Sequence, residues 1–204
     1  MPFPVENDDL AVGFIERHFR ERGFVWTEDY FVSVLNAPQS KHDVYWSAIG
    51  LRKVGTERSI PVLRAFLTYP MQDVKCVSIL TIAHIGRESA TPLLSDALLS
   101  REYREKDYAM WAILDVADER AVPAVLEYFA RNRSKLRSGK LRAFGFGLQY
   151  RVKFRKTLPA IEAFINEIPT YWNRLPSRER EELQKHLPEL VQEIASQSGL
   201  SRGT

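Results

Sequence analysis

The chain is predicted to be all-α, a right-handed superhelical solenoid of stacked helical hairpins, and three observations predict it. Proline recurs at Pro61, Pro92 and Pro123, two equal steps of 31 residues. The same shift aligns Leu51, Ile82 and Ile113; Val54, Ile85 and Val116; Gly55, Gly86 and Ala117; Glu57, Glu88 and Glu119; and Leu67, Leu98 and Phe129. Between these markers apolar residues fall at helical spacings, and a fixed period of this length is the signature of a repeat array.

One unit shows how the pattern works. From Asp73 to Ile85, residues Val74, Cys76, Val77, Leu80 and Ile82 lie at helical spacings. Gly86 then offers a residue able to leave the helix at positive φ. A polar turn, Arg87-Glu88-Ser89, follows. Pro92 opens the second helix, where a missing N–H costs nothing, and Leu93, Leu94, Ala97 and Leu98 give it an apolar face.

At these residues the chain resembles the HEAT-like repeats of the phycobilisome-lyase type. The resemblance lies in the opening Asp73-Val74, in Ile85-Gly86 before the turn, and in Pro92-Leu93-Leu94 after it. Ala117 to Phe129 matches the second half of the same repeat, while the unit starting at Asp43 is one residue short between Val44 and Gly55. The match covers residues 43–130 and implies a solenoid of HEAT-like hairpins. It implies nothing firm about activity, because one fold hosts many functions. A bilin-lyase role would require a pigment partner, to which no residue points.

The flanks extend the array into a single domain spanning residues 1–204. Asp8 to Arg22 reads as a helix with Leu10, Phe14 and Phe19 inward and Gly23 as terminator, and Thr27 caps a second helix through Leu35. This pair, 8–36, closes the N-terminal end. Residues 131–167 read as a divergent basic repeat: Pro159 falls 36 residues after Pro123, implying a five-residue insertion around Arg151 to Lys156. A charged helix starting at Ser177 and interrupted by Pro188 makes 177–197 a solvent-facing cap.

Composition narrows the class. The hydrophobic share is 45% and the charged share 27%, ordinary for a globular protein. No stretch reaches the roughly 18–20 apolar residues of a membrane span, and the start MPFPVENDD lacks a secretory pattern. With one cysteine, Cys76, no internal disulfide can form. A reducing cytoplasm is the expected setting, with no membrane partner.

Chemistry-bearing residues are sparse. His18, His42, His84 and His186 fall in different units, and none has a second His or Cys at zinc-ligand spacing. His84 shares its column with Lys53 and Asp115 and is expected at the surface; Cys76 reads as a small buried hydrophobe. Gly145-Phe146-Gly147 lacks the third glycine and the strand of a phosphate loop. No cofactor or metal site is expected. Trp111 and Asp115, four residues apart, share a helix face. Alkylpurine DNA glycosylases built on HEAT-like repeats use a tryptophan and an aspartate around a basic groove, so the pair resembles theirs in spacing. Against this, Trp111 shares its column with the apolar Ile49 and Leu80, which predicts core packing, and Asp115 reads as a solvated acid.

The strongest functional signal is charge. Arg131, Arg133, Lys135, Arg137, Lys140, Arg142, Arg151, Lys153, Arg155 and Lys156 are ten cations with no acid between Glu127 and Glu162. Against a net charge of +3, this +10 stretch leaves −7 for the rest of the chain. Arg142, Phe146 and Tyr150 form an i, i+4, i+8 line beside Lys135. Cations with aromatic faces suit an acidic protein surface, and they equally suit nucleic acid, through phosphate neutralisation and base stacking. A solvated stripe whose aromatics pack on C-terminal helices would look the same in one dimension. The expected function is a non-enzymatic binding module, an adaptor or an inhibitor such as a toxin-neutralising immunity protein, whose second helices (Arg64, Ser95, Asp96, Glu127) line a groove. Its expected partner is a protein with an acidic surface; the alternative is a nucleic-acid binder.

Overall fold

The computed structural model describes residues 8–132 and 177–186, together with Pro188 and Gln192. Every regular element among these residues is helical, as the repeat predicts. The helices are α1 (Asp8–Phe19), α2 (Glu28–Asn36), α3 (Lys41–Val54), α4 (Ile60–Ala65), α5 (Gln72–Gly86), α6 (Thr91–Leu99), α7 (Lys106–Val116) and α8 (Val122–Arg131), followed by a helix Ser177–His186. The chain divides into two compact units, Met1–Asp118 and Glu119–Thr204. The division falls between α7 and α8, inside the third hairpin expected from the period.

Local chemistry sets the helix ends. Thr27 caps α2, its hydroxyl accepting from the Tyr30 N–H at 3.2 Å. Ser40 and Asp43 form a reciprocal capping box at the start of α3: the Asp43 N–H donates to Ser40 Oγ and the Ser40 N–H to Asp43 Oδ2, both at 3.2 Å. Helices α4, α6 and α8 each carry proline in their first turn, and each follows a short 3₁₀ turn (Glu57–Ser59, Arg87–Ala90, Glu119–Ala121). Gly23, at φ 62°, lies in the left-handed region expected of a terminator.

In the first unit α3 packs on α5, α5 on α7, and α1 on α3. Each second helix is laid on the first helix of the following unit: α2 on α3, α4 on α5, α6 on α7. The periodic columns point inward along this run. Leu51, Ile82 and Ile113, at 31-residue steps, are completely buried. So are Ser47, Ser78 and Ala109, whose small side chains let α3, α5 and α7 approach closely. Thr81 ties two of these helices directly, its hydroxyl donating to the Ala48 carbonyl at 3.0 Å.

Three local expectations are corrected. Gly86 does not supply positive φ: it stays helical at φ −82°, and the left-handed residue is Arg87, at φ 48°. The glycine is there for space. A Cβ on Gly86 would come within 3.0 Å of both Ala90 Cβ and Ile60 Cδ1, and one on Gly55 within 2.5 Å of the Leu51 carbonyl and 2.8 Å of Ile85 Cδ1. Phe14, expected inward, is 49% exposed and stacks on Trp46 at 5.7 Å; Ile15 takes the buried place. Leu80 is only half-buried, because its column faces outward from α5.

Candidate functional site

The polar anchors of the first unit are built around carboxylates, of which Asp43 is the buried one. Asp43, 2% exposed, receives His18 Nε2 and Arg22 Nη1 on Oδ1, both at 2.8 Å. Its Oδ2 takes the Gln39 N–H at 2.8 Å and the Ser40 N–H. Burial pushes its pKa up, but the hydrogen bonds from His18, Arg22 and Gln39, with the Arg22 charge, outweigh burial and hold it at about 2. This cluster fastens α1 to α3. It puts His18 and His42 side by side, ring centroids 6.5 Å apart, yet it contains no nucleophile. Serine three residues before aspartate is the local signal that could have found the capping box; His18, 25 residues upstream of Asp43, left no sequence signal.

Two further clasps are of the same kind. Glu28 accepts from the Thr56 N–H and hydroxyl, both at 2.9 Å, and from the Ser59 hydroxyl at 2.5 Å, linking α2 to the turn before α4. Lys75 on α5 pairs with Glu105 before α7 at 2.7 Å, with both side chains largely buried. Beside Lys75, Cys76 is buried; burial, then the charges of Glu105 and Asp73, push its thiol up to about 12. Such a thiol stays protonated and inert near neutrality, which fits its expected role as a hydrophobe.

The predicted site residues are distributed as follows. Trp111 and Asp115 both stand exposed on α7. Trp111 is 40% exposed, with Tyr108 edge-on at 5.1 Å, so its expected place in the core is corrected: the Ile49, Leu80, Trp111 column is half-buried, half-buried and exposed in turn. His84, Lys53 and Asp115 are all exposed, as their shared column predicts. Arg64 and Asp96 lie exposed on α4 and α6, while Ser95 is half-buried. Of the basic segment, Arg131 ends α8, and its guanidinium pairs with Glu127 one turn back. Arg133, Lys135, Arg137, Lys140, Arg142, Phe146, Tyr150, Arg151, Lys153, Arg155 and Lys156 lie outside the described residues.

Among the described residues no three His, Cys, Asp or Glu side chains gather as metal ligands would, and no helix is long and apolar enough to cross a membrane. What the described surface offers is separated polar side chains on helices whose inner faces are fixed. Compared with protein-family models, curated proteins and solved structures, the chain matches none of them.

Proposed function

We propose that the chain is a right-handed solenoid of HEAT-like hairpins that binds another protein by an acidic surface, as an adaptor or as an inhibitor of the toxin-neutralising kind, in a reducing cytoplasm. The observation that carries this is the burial of Leu51, Ile82 and Ile113 at equal 31-residue steps on helices packed side by side. Helices repeated in this way form an extended face, the surface repeat proteins use for recognition. Arg64 and Asp96, exposed on α4 and α6, stand on the layer that would meet the partner. The ten cations from Arg131 to Lys156 supply long-range attraction to an acidic surface and raise the encounter rate.

The test is kinetic. A partner captured from the native host is immobilised, and association is followed from low to high salt for the natural chain and for R137E/K140E/R142E. Steering makes the natural association rate fall steeply with salt while dissociation changes little, and the triple variant associates at least tenfold more slowly at low salt. An association rate indifferent to both salt and the charge reversal refutes the role of the segment. Retention of labelled duplex or single-stranded DNA at low salt, lost in the triple variant, would transfer the function to nucleic acid. In that case Trp111 and Asp115 become the residues to replace.

A further inference from the structure

One helical turn beyond Ile49, Leu80 and Trp111 stand Lys53, His84 and Asp115, all exposed. Helix α5 packs on both α3 and α7, so each of these columns crosses the three helices in the order α3, α5, α7. The outer side of the layer therefore carries an apolar strip with a polar strip alongside it. The apolar strip is most open at Trp111, 40% exposed, while Ile49 and Leu80 are half-buried. The polar strip runs from a cation on α3, through a histidine on α5, to an anion on α7.

The two ends of the polar strip are about 16–20 Å apart, two helix spacings of about 8–10 Å each. That exceeds the screening length of about 8 Å at physiological salt, so Lys53 and Asp115 do not neutralise each other within one chain. The Lys53 ammonium lies over the Trp26 ring at 5.2 Å, a contact that fixes its place without cancelling its charge. Between them, partial burial first and then the charges of Arg52 and Arg87 hold the His84 pKa down, so the middle of the strip is neutral at pH 7.5. Arg87 itself follows the end of α5, past both strips.

A face with opposite charges at its two ends and apolar side chains beside them is complementary to itself. A two-fold axis running along α5, in the plane of contact, turns such a face over and exchanges its ends. Leu80 then meets Leu80 of a second copy, Ile49 meets Trp111, and Lys53 meets Asp115 at both ends. An acidic protein or a nucleic acid matches less well, because either one is attracted by Lys53 and repelled by Asp115. We propose that the outer side of α3, α5 and α7 is a self-association face, on which a second copy of this chain docks through the apolar strip and two Lys53–Asp115 pairs. This goes beyond the function proposed above and does not rest on it: there α4 and α6 meet a different protein, and here the other layer meets its own copy. Two solvent-facing ion pairs beside a narrow apolar strip make a weak contact, so the dimer forms at high protein concentration and low salt.

The experiment is sedimentation velocity of the full chain at pH 7.5 and low salt over a wide range of concentration, for the natural protein, K53E and D115K. Both substitutions fall on exposed side chains, and circular dichroism checks that each variant is folded. The natural chain moves reversibly between monomer and dimer. Either variant alone sets like charges against each other at both ends and dimerises at least about fivefold more weakly. K53E also loses the contact with Trp26, so the decisive arm is the equal mixture of the two variants. There the reversed charge of one faces the reversed charge of the other, and association returns to within about twofold of its natural strength. A natural chain that stays monomeric at every concentration overturns the proposal. So does dimerisation unchanged in K53E and D115K, or weakened in both without recovery in the mixture. If the natural chain is monomeric and a protein captured from the host is lost with D115K, the face belongs to that protein and the proposal falls.

Discussion

Gly50 sits in the interior of α3, where replacing glycine by alanine ordinarily stabilises a helix by about 1 kcal/mol. The structure reverses that sign. A Cβ at Gly50 would land 2.3 Å from Phe31 Cζ, with the two ring Cε atoms at 2.5 and 2.7 Å. A ring at the end of a side chain could swing away if it had room, but Phe31 is completely buried. Phe19, Trp26 and Tyr30 lie edge-on around it at 5.6 to 6.1 Å, and Phe24 is tilted against it at 5.8 Å. The added methyl must then push α2 off α3 or force the ring from its rotamer, at about 2–3 kcal/mol. Set against the helix gain of about 1 kcal/mol, G50A is expected to be less stable by about 1–2 kcal/mol. That lowers the thermal midpoint by roughly 2–8 °C in a chain of this size.

The assay is urea unfolding of the natural chain, G50A, F31L and G50A/F31L, followed by far-ultraviolet circular dichroism. F31L alone loses stability by opening a gap. In the double variant the methyl fills part of that gap, so the two losses sum to more than the double variant shows, by at least about 1 kcal/mol. A G50A protein more stable than the natural chain, or additive losses, would mean that α2 does not rest on α3 at this point.

Two further outcomes follow from buried polar groups. Asp43 ordinarily titrates near 3.9 when unfolded and is held at about 2 in the fold; a depressed folded value means its stabilisation is full above pH 4–5 and fades as pH falls toward 2. The difference of about two units corresponds to roughly 2.5 kcal/mol, so between pH 5 and pH 2 the natural chain should lose about that much more stability than D43N; parallel acid losses in the two proteins would show that the carboxylate is not gripped. Ser78 is completely buried and its hydroxyl has no hydrogen-bond partner, so S78A should be neutral or up to about 1 kcal/mol more stable while S78L, overpacking the α3–α5–α7 approach, should lose at least about 2 kcal/mol; a destabilised S78A would reveal a bond the hydroxyl makes.

The 31-residue unit read from Asp73 to Leu99 placed α5 and α6 to within a residue, because helical spacing and proline at the first turn are local signals that need no tertiary context. It also picked out Leu51, Ile82 and Ile113 as inward. The aspartate clasp was beyond its reach. Asp43 is one of the most buried charges in the unit because His18 on α1 and Arg22 in the turn after it both reach it. Glycine chemistry was misread for a related reason. Gly86 follows a helix and so suggests a left-handed cap, yet the constraint on it is the side chain of Ile60 from the neighbouring unit. No local pattern encodes a neighbour's methyl group.

The columns that deceived do so in a consistent direction. Ile49, Leu80 and Trp111 are apolar and face outward; Ser47 and Ser78 are polar and vanish inside. In a layer of helices laid side by side, the line of closest approach admits only small side chains. Burial there follows volume, and a hydroxyl is admitted because it is little larger than a methyl. The outer side of the layer has no such limit on size, so large apolar residues can stand there half-covered by their own helix. Sorting residues by polarity therefore assigns the outer column to the core and hesitates over the true seam. Sorting them by size within the 31-residue register puts Ser47, Ser78 and Ala109 on the seam, and Trp111, the bulkiest member of its column, on the outside.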